Sequence, residues 1–358
     1  MITEEKFIFD KPLDVFVEGE VTHKSPSNIA LVKYWGKTGE QIPANPSISF
    51  TLRNCTTITT LKFVPSSRHS FKVFVEGKRE ASFEPKIRKF FIRIVKYCPY
   101  IAQYEFTIDT MNTFPHSSGI ASSASGFSAL ALCIMSLERD LNPAMTEEYF
   151  RQKASFLARL GSGSACRSIY TGIVEWGKSE EFEGSSDLIA IPFSEAHEVF
   201  YDFQDTILLV DKGEKEVSST VGHGLMHNHP FAESRFDQAR KHLAELKKAL
   251  KEGDLKEFTR IVESEALTLH AMMMTSNPYF ILMKPNTLKI IEEVWAYRKK
   301  HDLNLTITLD AGANVHLLYP KQEIEQAMQL INDSLVKYCE KGNYIMDEVK
   351  TENDDFED

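Results

Sequence analysis

The hydrophobic pattern changes character along this chain of 358 residues. Between residues 28 and 75, apolar and β-branched residues alternate with polar ones in short runs, as is typical of strands. In the second half, the apolar residues recur at helical spacing over residues 231–250, 255–273 and 287–300. This contrast predicts a mixed α+β chain in two parts, with the boundary between residues 182 and 210.

Further elements are predicted in each part from the same criteria. The first part adds helices over residues 85–97, 121–137 and 147–160 and strands over 104–110 and 169–176. The second begins with strands in 199–211 and ends with strands over 305–310 and 315–319 and a helix over 323–338. We therefore place the domains at residues 1–195 and 196–345, and we expect the acidic end, 346–358, to be a disordered tail.

Composition points to a small-molecule ligand. The formal net charge of −10 argues against nucleic acid or a membrane surface as partner, because both are polyanionic. No apolar run approaches the roughly 18 residues of a membrane span, and the acidic N-terminus does not resemble a signal peptide. Five scattered cysteines without a C-x-x-C pair fit reduced thiols. We expect a cytoplasmic protein.

A segment rich in glycine and serine, P-H-S-S-G-I-A-S-S-A-S-G at residues 115–126, precedes the helix predicted from residue 121. The N-terminus of a helix offers free N–H groups and a favourable dipole to a phosphate. No Walker motif is present. A serine-capped helix after a loop explains the same composition. The candidate phosphate ligands are Ser117, Ser118, Gly119, Ser122, Ser123 and Ala124.

Three charged residues are candidates for chemistry, and each has a plainer explanation. Asp310 ends an apolar strand in T-L-D-A-G-A-N, where a turn aspartate is also common. Lys33, in an apolar strand, could extend its ammonium to water, and Arg167 could form an ordinary ion pair.

A histidine cluster, H-G-L-M-H-N-H, contains His223, His227 and His229. Its glycine and proline neighbours favour a solvated loop or helix entry over a metal site.

The order of the glycine- and serine-rich segment resembles the nucleotide loop of the GHMP kinase superfamily, named for galactose, homoserine, mevalonate and phosphomevalonate kinases. Longer strings resemble one branch, the diphosphomevalonate decarboxylase family. They are S-P-S-N-I-A-L-V-K-Y-W-G-K at 25–37, G-S-G-S-A-C-R-S at 161–168 and T-L-D-A-G-A-N at 308–314. The resemblance runs from about residue 25 to 319. It implies the GHMP fold, with a ribosomal-S5-like N-terminal domain, a C-terminal α/β domain and an active site in the cleft between them.

The resemblance also implies a reaction, the ATP-dependent decarboxylation of mevalonate 5-diphosphate to isopentenyl diphosphate. The expected cofactors are ATP and Mg²⁺, the latter bridging the ATP phosphates. Asp310 matches the family's catalytic aspartate, which acts on the 3-hydroxyl. Lys33 matches the lysine beside it, and Arg167 is placed to grip the substrate carboxylate. Family members are commonly homodimers, so a homodimer is expected.

The family's substrate and diphosphate site maps onto residues Asn28, Tyr34, Lys37, Lys86, Ser162 and Ser164. Three positions depart from the family pattern. His116 stands where threonine is usual, Ala313 where proline is usual, and Lys86 where an arginine commonly binds phosphate. Three alternatives stay open: a decarboxylase of the 5-phosphate, a mevalonate 3-kinase that stops after phosphorylation, and a non-catalytic ligand sensor.

Overall fold

The computed structural model describes residues 2–12, 15–115, 120–211 and 219–351, without the side chains of residues 219 and 220. Within these ranges, a larger sheet comes from the first part of the sequence and a smaller sheet from the second. The larger sheet contains β1 (Gly19–Val32), β2 (Ser47–Pro65), β3 (Ser70–Val75), β4 (Lys78–Arg79), β5 (Tyr104–Asn112), β6 (Ile173–Trp176) and β7 (Ala190–Pro192). The smaller sheet contains β8 (Gln204–Leu208), β9 (Thr306–Thr308), β10 (Val315–Tyr319) and β11 (Tyr344–Glu348).

The long strand β2 organises the larger sheet. The strand order is β4-β3-β5-β2-β6-β7, and β1 also pairs with β2. The pairings are antiparallel except between β3 and β5. The smaller sheet has the order β11-β8-β10-β9 and is antiparallel throughout. The mixed α+β fold class predicted from periodicity is confirmed.

Helices pack on both sheets. They are α1 (Glu84–Ile94), α2 (Ser122–Leu141), α3 (Glu147–Gly161), α4 (Ser219–Gly224), α5 (Ala232–Glu252), α6 (Leu255–Met274), α7 (Pro285–His301) and α8 (Ile324–Leu330). The first three cover the larger sheet, where Phe63 and Phe106 share a buried core with Ile134 and Phe156. Among the described residues, no helix combines the length and apolar character that crossing a membrane requires.

A second core joins the two parts of the chain. Ile29 and Phe50 from the larger sheet lie in one buried cluster with Leu243 of α5 and with Phe258 and Ile261 of α6. Burial of large apolar side chains is the main stabilising contribution to such a contact. The shared core therefore holds the end of β1 against α5 and α6, which is where the candidate site forms.

The C-terminal end differs from its prediction in two respects. The helix predicted over 323–338 is regular only in α8, followed by a π-helical turn, Ile331–Leu335, and a 3₁₀ turn, Val336–Tyr338. The tail expected from residue 346 was wrong at its start, because β11 pairs with β8 and the amide of Lys350 bonds the carbonyl of Thr51 at 2.8 Å. Sheet pairing with β8 outweighs the acidic composition there. Residues 352–358 lie outside the described ranges.

Candidate active site

Lys33 and Asp310 form an ion pair where the two parts of the chain meet. Lys33 directly follows β1, after a register shift between Ala30 and Val32, and Asp310 comes two residues after β9. Nζ of Lys33 donates to Oδ1 of Asp310 at 3.1 Å and to the carbonyl of Ala30 at 2.6 Å. The Lys33 side chain is 2% exposed and that of Asp310 is 26% exposed. Burial lowers the pKa of Lys33, and the Asp310 carboxylate opposes that effect. The pair thus presents an accessible carboxylate with a buried cation behind it.

A buried network holds the main chain of Lys33. Oε2 of Glu265 accepts the Lys33 N–H at 2.8 Å. Arg235 donates to both carboxylate oxygens of Glu265, at 3.0 and 2.6 Å, and to the carbonyl of Lys33 at 3.4 Å. Nδ1 of His242 lies 2.7 Å from Oε1 of the same carboxylate. Burial alone would raise the pKa of Glu265, but Arg235 and the hydrogen bonds lower it. The sequence analysis missed this network.

His270 fixes the main chain of Asp310. Its Nε2 lies 3.2 Å from the carbonyl oxygen of Asp310. Burial lowers the pKa of His270 to about 4, so the ring is neutral near pH 7. A neutral ring can donate this hydrogen bond when its proton is on Nε2. The sequence analysis predicted no role for His270, which lies in the segment L-H-A-M-M-M at residues 269–274.

Arg167 is buried beside Lys33 and Asp310, and one of its N–H donors has no partner within the described residues. It lies in the 3₁₀ helix Gly163–Ile169, where NH1 donates to Oγ of Ser47 and NH2 donates to Oδ1 of Asn28 at 3.2 Å. Its Nε has no hydrogen-bond partner within the described residues. Burial lowers the pKa of Arg167, against the influence of the Asp310 charge. A buried guanidinium with an unmet donor suits a carboxylate ligand.

Tyr34 lies against Gly163, the first residue of the same 3₁₀ helix. Its ring is 4.7 Å from that of Trp176 between centroids, and a Cβ on Gly163 would lie 2.7 Å from its Cε1 and Oη. Only glycine permits this approach without a shift. The Tyr34 hydroxyl is buried and has no hydrogen-bond partner within the described ranges. Burial raises the pKa of Tyr34, so its hydroxyl is neutral and can donate a hydrogen bond to a ligand.

The two predicted serines of this segment face different neighbours. The hydroxyl of Ser162 lies 3.4 Å from that of Ser123 on α2. The carbonyl of Ser164 accepts from Nδ2 of Asn28 at 3.3 Å. Ser162 therefore adjoins the candidate nucleotide segment, and Ser164 adjoins the Asn28 and Arg167 pair.

Lys37 belongs to a cluster of cations. Burial, together with the charges of Arg93 and Lys89 on α1, lowers the pKa of Lys37 to about 8. Lys86 is exposed and, by its spacing of three and seven residues, shares a helix face with Lys89 and Arg93. Such a face attracts a polyanion. Lys89 and Arg93 were not predicted from the sequence, although their spacing from Lys86 was available as a signal.

The start of α2 is the candidate phosphate site. The residue before this 20-residue helix, Ala121, has φ 41° and makes no side-chain cap, and the first turn contains no acidic residue. Ser122 and Ser123 open the helix, whereas Ala124 is fully buried and its amide bonds the carbonyl of Ala121 at 2.7 Å. The remaining predicted ligands, Ser117, Ser118 and Gly119, and the variant position His116 lie outside the described residues.

No group of three or more His, Cys, Asp or Glu side chains in the described part of the chain could hold a metal ion. Mg²⁺ retains water and binds through substrate phosphates with one or two protein oxygens. The serine hydroxyls at the start of α2 are oxygen donors of that kind. These residues fit a magnesium ion that arrives with a nucleotide.

The three clustered histidines lie between the last turn of α4 and the entry to α5, which fits the predicted helix entry, but the expected solvation was wrong for two of them. His223 and His229 are buried, and His227 is exposed. Nδ1 of His229 accepts the N–H of Phe231 at 3.2 Å, and its Nε2 lies 3.1 Å from the carbonyl of Met272. His223 instead contacts the segment that contains Tyr34 and Lys37. Close packing of the following helices overrides the loop-like composition.

Comparison with known proteins gives consistent matches over both parts of the chain. Residues 25–189 match the family model for the diphosphomevalonate decarboxylase-like N-terminal domain, and residues 206–357 match that for the mevalonate 5-diphosphate decarboxylase C-terminal domain. The diphosphomevalonate decarboxylase of Candida albicans is 30% identical over 86% of this chain and 86% of its own length.

Solved structures match as well. One described as MDDEF in complex with MVAPP, AMPPCP and magnesium has a TM-score of 0.80 at 27% identity, covering 93% of this chain and 98% of that one. The mevalonate diphosphate decarboxylase of Staphylococcus aureus has a TM-score of 0.80 at 28% identity, covering 93% and 96%.

Proposed function

The chain belongs to the diphosphomevalonate decarboxylase family, and we propose that it converts mevalonate 5-diphosphate and ATP to isopentenyl diphosphate, ADP, phosphate and carbon dioxide. The observation that carries the proposal is the pairing of Lys33 with Asp310 at 3.1 Å. A tertiary alcohol is a poor nucleophile and hydroxide a poor leaving group. Phosphorylation of the 3-hydroxyl solves both problems, because phosphate then leaves as the carboxylate is lost.

Asp310 is the residue that orients or deprotonates the 3-hydroxyl. Its carboxylate is accessible while its backbone is fixed through His270. Lys33 stays behind it as a buried cation that stabilises charge on the transferring phosphoryl group. In phosphoryl transfer most of the catalysis is positioning and electrostatics, so a pair fixed at both backbones suits the task.

Arg167 binds the substrate carboxylate. Its unmet Nε donor and buried position support a charge-assisted hydrogen bond to that group. Asn28 holds the guanidinium from one side through its Oδ1 and is itself held by Oγ of Ser168 at 2.7 Å. A fixed carboxylate can be aligned with the C–O bond to the leaving phosphate, which is the geometry that concerted loss of carbon dioxide needs.

The 5-diphosphate binds towards Tyr34 and Lys37. The unmet Tyr34 hydroxyl and the Lys37 ammonium are its donors, with Ser162 and Ser164 on the adjoining segment. Lys86 extends the cationic face of α1 that Lys89 and Arg93 begin. A diphosphate carries enough charge to stabilise this cluster of like charges.

ATP binds with its phosphates at the start of α2, against Ser122 and Ser123, with Ser117, Ser118 and Gly119 as further ligands. The Ala124 amide, which the sequence analysis included among the ligands, is already bonded to the carbonyl of Ala121. The serine hydroxyls at the start of α2, together with the ATP phosphates, would hold Mg²⁺, which would neutralise charge during the transfer. The uncapped first turn and the absence of acidic residues in it support this placement.

We also propose that the chain has two domains, forms a homodimer and is cytoplasmic. Domains at residues 1–195 and 196–345 are supported by the change of sheet between β7 and β8. A homodimer and a cytoplasmic location are the sequence-based expectations. Light scattering on the purified protein tests the first, since a mass near twice 40.8 kDa is expected.

The deciding experiment incubates the protein with Mg-ATP and, separately, mevalonate 5-diphosphate, the 5-phosphate and free mevalonate, and follows ADP and carbon dioxide together. Equal amounts of both products with the 5-diphosphate alone are expected. Both products with the 5-phosphate would change the substrate, ADP without carbon dioxide would make the chain a 3-kinase, and neither product would leave a sensor.

A further inference from the structure

We propose that His223 is a positioning residue for the substrate site, because it fixes the segment over residues 34–37 that carries both phosphate donors. This inference rests on the proposed function, which assigns Tyr34 and Lys37 to the 5-diphosphate. His223 comes from α4, which precedes the helices that hold Lys33, so a separate element supports the phosphate end of the site.

The first contact is a hydrogen bond to the turn in this segment. Nδ1 of His223 accepts the N–H of Gly36 at 3.0 Å. Gly36 has φ +106°, in the region that favours glycine, and a Cβ there would lie 2.8 Å from the ring of Phe236. The turn is therefore sterically confined, and His223 satisfies the amide that it leaves unpaired.

The second contact is with the rings on either side. The imidazole centroid of His223 lies 4.2 Å from that of Tyr34 and 4.8 Å from that of Trp35. The preceding residue, Gly222, is packed so closely that a Cβ would lie 2.4 Å from the Trp35 ring. One side chain therefore contacts three consecutive residues, and the close packing of Gly222 against Trp35 leaves α4 no room to move towards this segment when the imidazole is lost.

The third feature is the protonation state. Nδ1 can accept the Gly36 N–H only while its lone pair is free, so the proton of the neutral ring is on Nε2. Burial, with the nearby Lys37 charge, holds the pKa of His223 well below its ordinary value. The acceptor is therefore present under the same conditions in which Lys37 is a cation.

The contacts of His223 do more than pack the core, because they also position the groups that bind the substrate. Tyr34 and Lys37 are the two ends of the four-residue segment, and the amide of Gly36 lies between them. Loss of the acceptor allows that amide to rotate towards another partner, which displaces the Tyr34 hydroxyl and the Lys37 ammonium together. Misplacement of a binding group by about 1 Å is enough to cost as much as roughly 100-fold in rate.

The test uses purified full-length variants. His223→Leu fills the space without an acceptor, and His223→Asn keeps an oxygen close to the position of Nδ1. His227→Leu is the control, since His227 belongs to the same cluster but is exposed. Thermal melts confirm folding, and the steady-state KM is measured for each substrate. Calorimetry of mevalonate 5-diphosphate binding supplies a readout that does not need turnover.

We expect His223→Leu to raise KM and Kd for mevalonate 5-diphosphate by about tenfold, with KM for ATP changed by less than about threefold. His223→Asn should recover part of the loss, and His227→Leu should match the unaltered protein. In a double-mutant cycle, His223→Leu should have a smaller effect in the presence of Lys37→Met than alone, because part of its effect passes through Lys37 and the rest through Tyr34.

Equal losses towards both substrates, no recovery in His223→Asn, or full additivity with Lys37→Met would each overturn the inference and leave His223 as a packing residue. Tight calorimetric binding without turnover by the unaltered protein would instead overturn the proposed function. The binding comparison among the His223 variants would still decide the positioning role.

Discussion

Nζ of Lys33 lies 3.1 Å from Oδ1 of Asp310, although the two residues are 277 positions apart in the sequence. The first follows a strand of the larger sheet, and the second follows a strand of the smaller sheet. The pair is complete only when both parts of the chain are folded and joined. The geometry of this site therefore depends on the core that the two parts share.

Asp310→Asn is expected to lower turnover by about 10² to 10⁴-fold, because the amide cannot accept the proton of the 3-hydroxyl. Calorimetry with a non-hydrolysable ATP analogue should give unchanged affinity, since the nucleotide segment lies on α2. Asp302→Asn is the control, because Asp302 is an exposed aspartate in a left-handed conformation that asparagine tolerates. Near-normal turnover by Asp310→Asn would remove Asp310 from the mechanism.

Lys33 and Asp310 could be predicted as site residues from the sequence, because both lie in long, specific strings. It was insufficient for Glu265, which the helical spacing places in the apolar stripe of α6 with Phe258, Val262, Leu269 and Met272. A charge in such a stripe is a signal that a partner will be buried with it. Its identity, Arg235, depends on how α5 packs against α6, and no local pattern specifies that packing.

Strands and contacts that depend on distant partners were likewise not predicted from the sequence. In the second half of β2, residues 57–64, buried and more exposed side chains alternate, so the pattern specifies a strand by itself. In β11, Asp347 and Glu348 lie at the start of the acidic end of the chain, so composition favours a tail there, and only the pairing with β8 makes these residues part of a strand. His223 is another case, since its contacts come from a turn at Gly36 that lies 187 positions away.

Lys37 should give the reaction a dependence on pH near 8. Its pKa in the free protein is about 8, below the ordinary 10.5, and a bound diphosphate favours the protonated form. Affinity for mevalonate 5-diphosphate is therefore expected to fall as the pH rises through about 8. The measurement is KM between pH 6.5 and 9.5, and Lys37→Arg, which stays charged, should lack the break. A flat profile in the unaltered protein would count against Lys37 as a ligand.

The lowered pKa of Lys37 also makes the free energy of unfolding depend on pH. The unfolded chain binds more protons than the folded chain between about pH 8 and 10.5, because lysine recovers its ordinary pKa on unfolding. This group alone makes the free energy of unfolding increase with pH across that window. Comparison of Lys37→Met with the unaltered protein at pH 7.5 and 9.5 isolates the contribution.

The cations of α1 should differ in their importance for the diphosphate. Arg93 is 15% exposed and close to Lys37, whereas Lys86 and Lys89 are exposed and screened by water. Arg93→Met is expected to raise KM for mevalonate 5-diphosphate by about tenfold or more, and Lys86→Met by less than about threefold.

Arg88→Met is the matched control for this comparison, because Arg88 extends over the ring of Phe71 at 5.1 Å, away from the cationic face. Steady-state KM for the 5-diphosphate and the 5-phosphate is measured for each variant. If Lys86→Met raised KM as much as Arg93→Met, the exposed end of the helix would be the main phosphate contact.

Glu265→Gln should destabilise the fold by about 3 to 5 kcal/mol, because it leaves the Arg235 guanidinium buried without its counter-charge. Both side chains are fully buried, and Glu265 also receives the Lys33 amide, so kcat should fall with stability. Because its folded pKa is lowered, the carboxylate stabilises the fold above its ordinary pKa of 4.5, and this contribution is lost as the pH falls through the folded value.

Urea unfolding at pH 7 measures the effect, with Glu292→Gln as the control for an exposed ion pair on α7, where less than about 1 kcal/mol is expected. The double variant Glu265→Leu with Arg235→Met removes both charges together, so it should recover part of the stability without recovering kcat. The separation of the two readouts tests the role assigned to the network. If kcat returned along with stability, the ion pair would support the fold alone, and the position of Lys33 would depend on its contacts with Ala30 and Asp310.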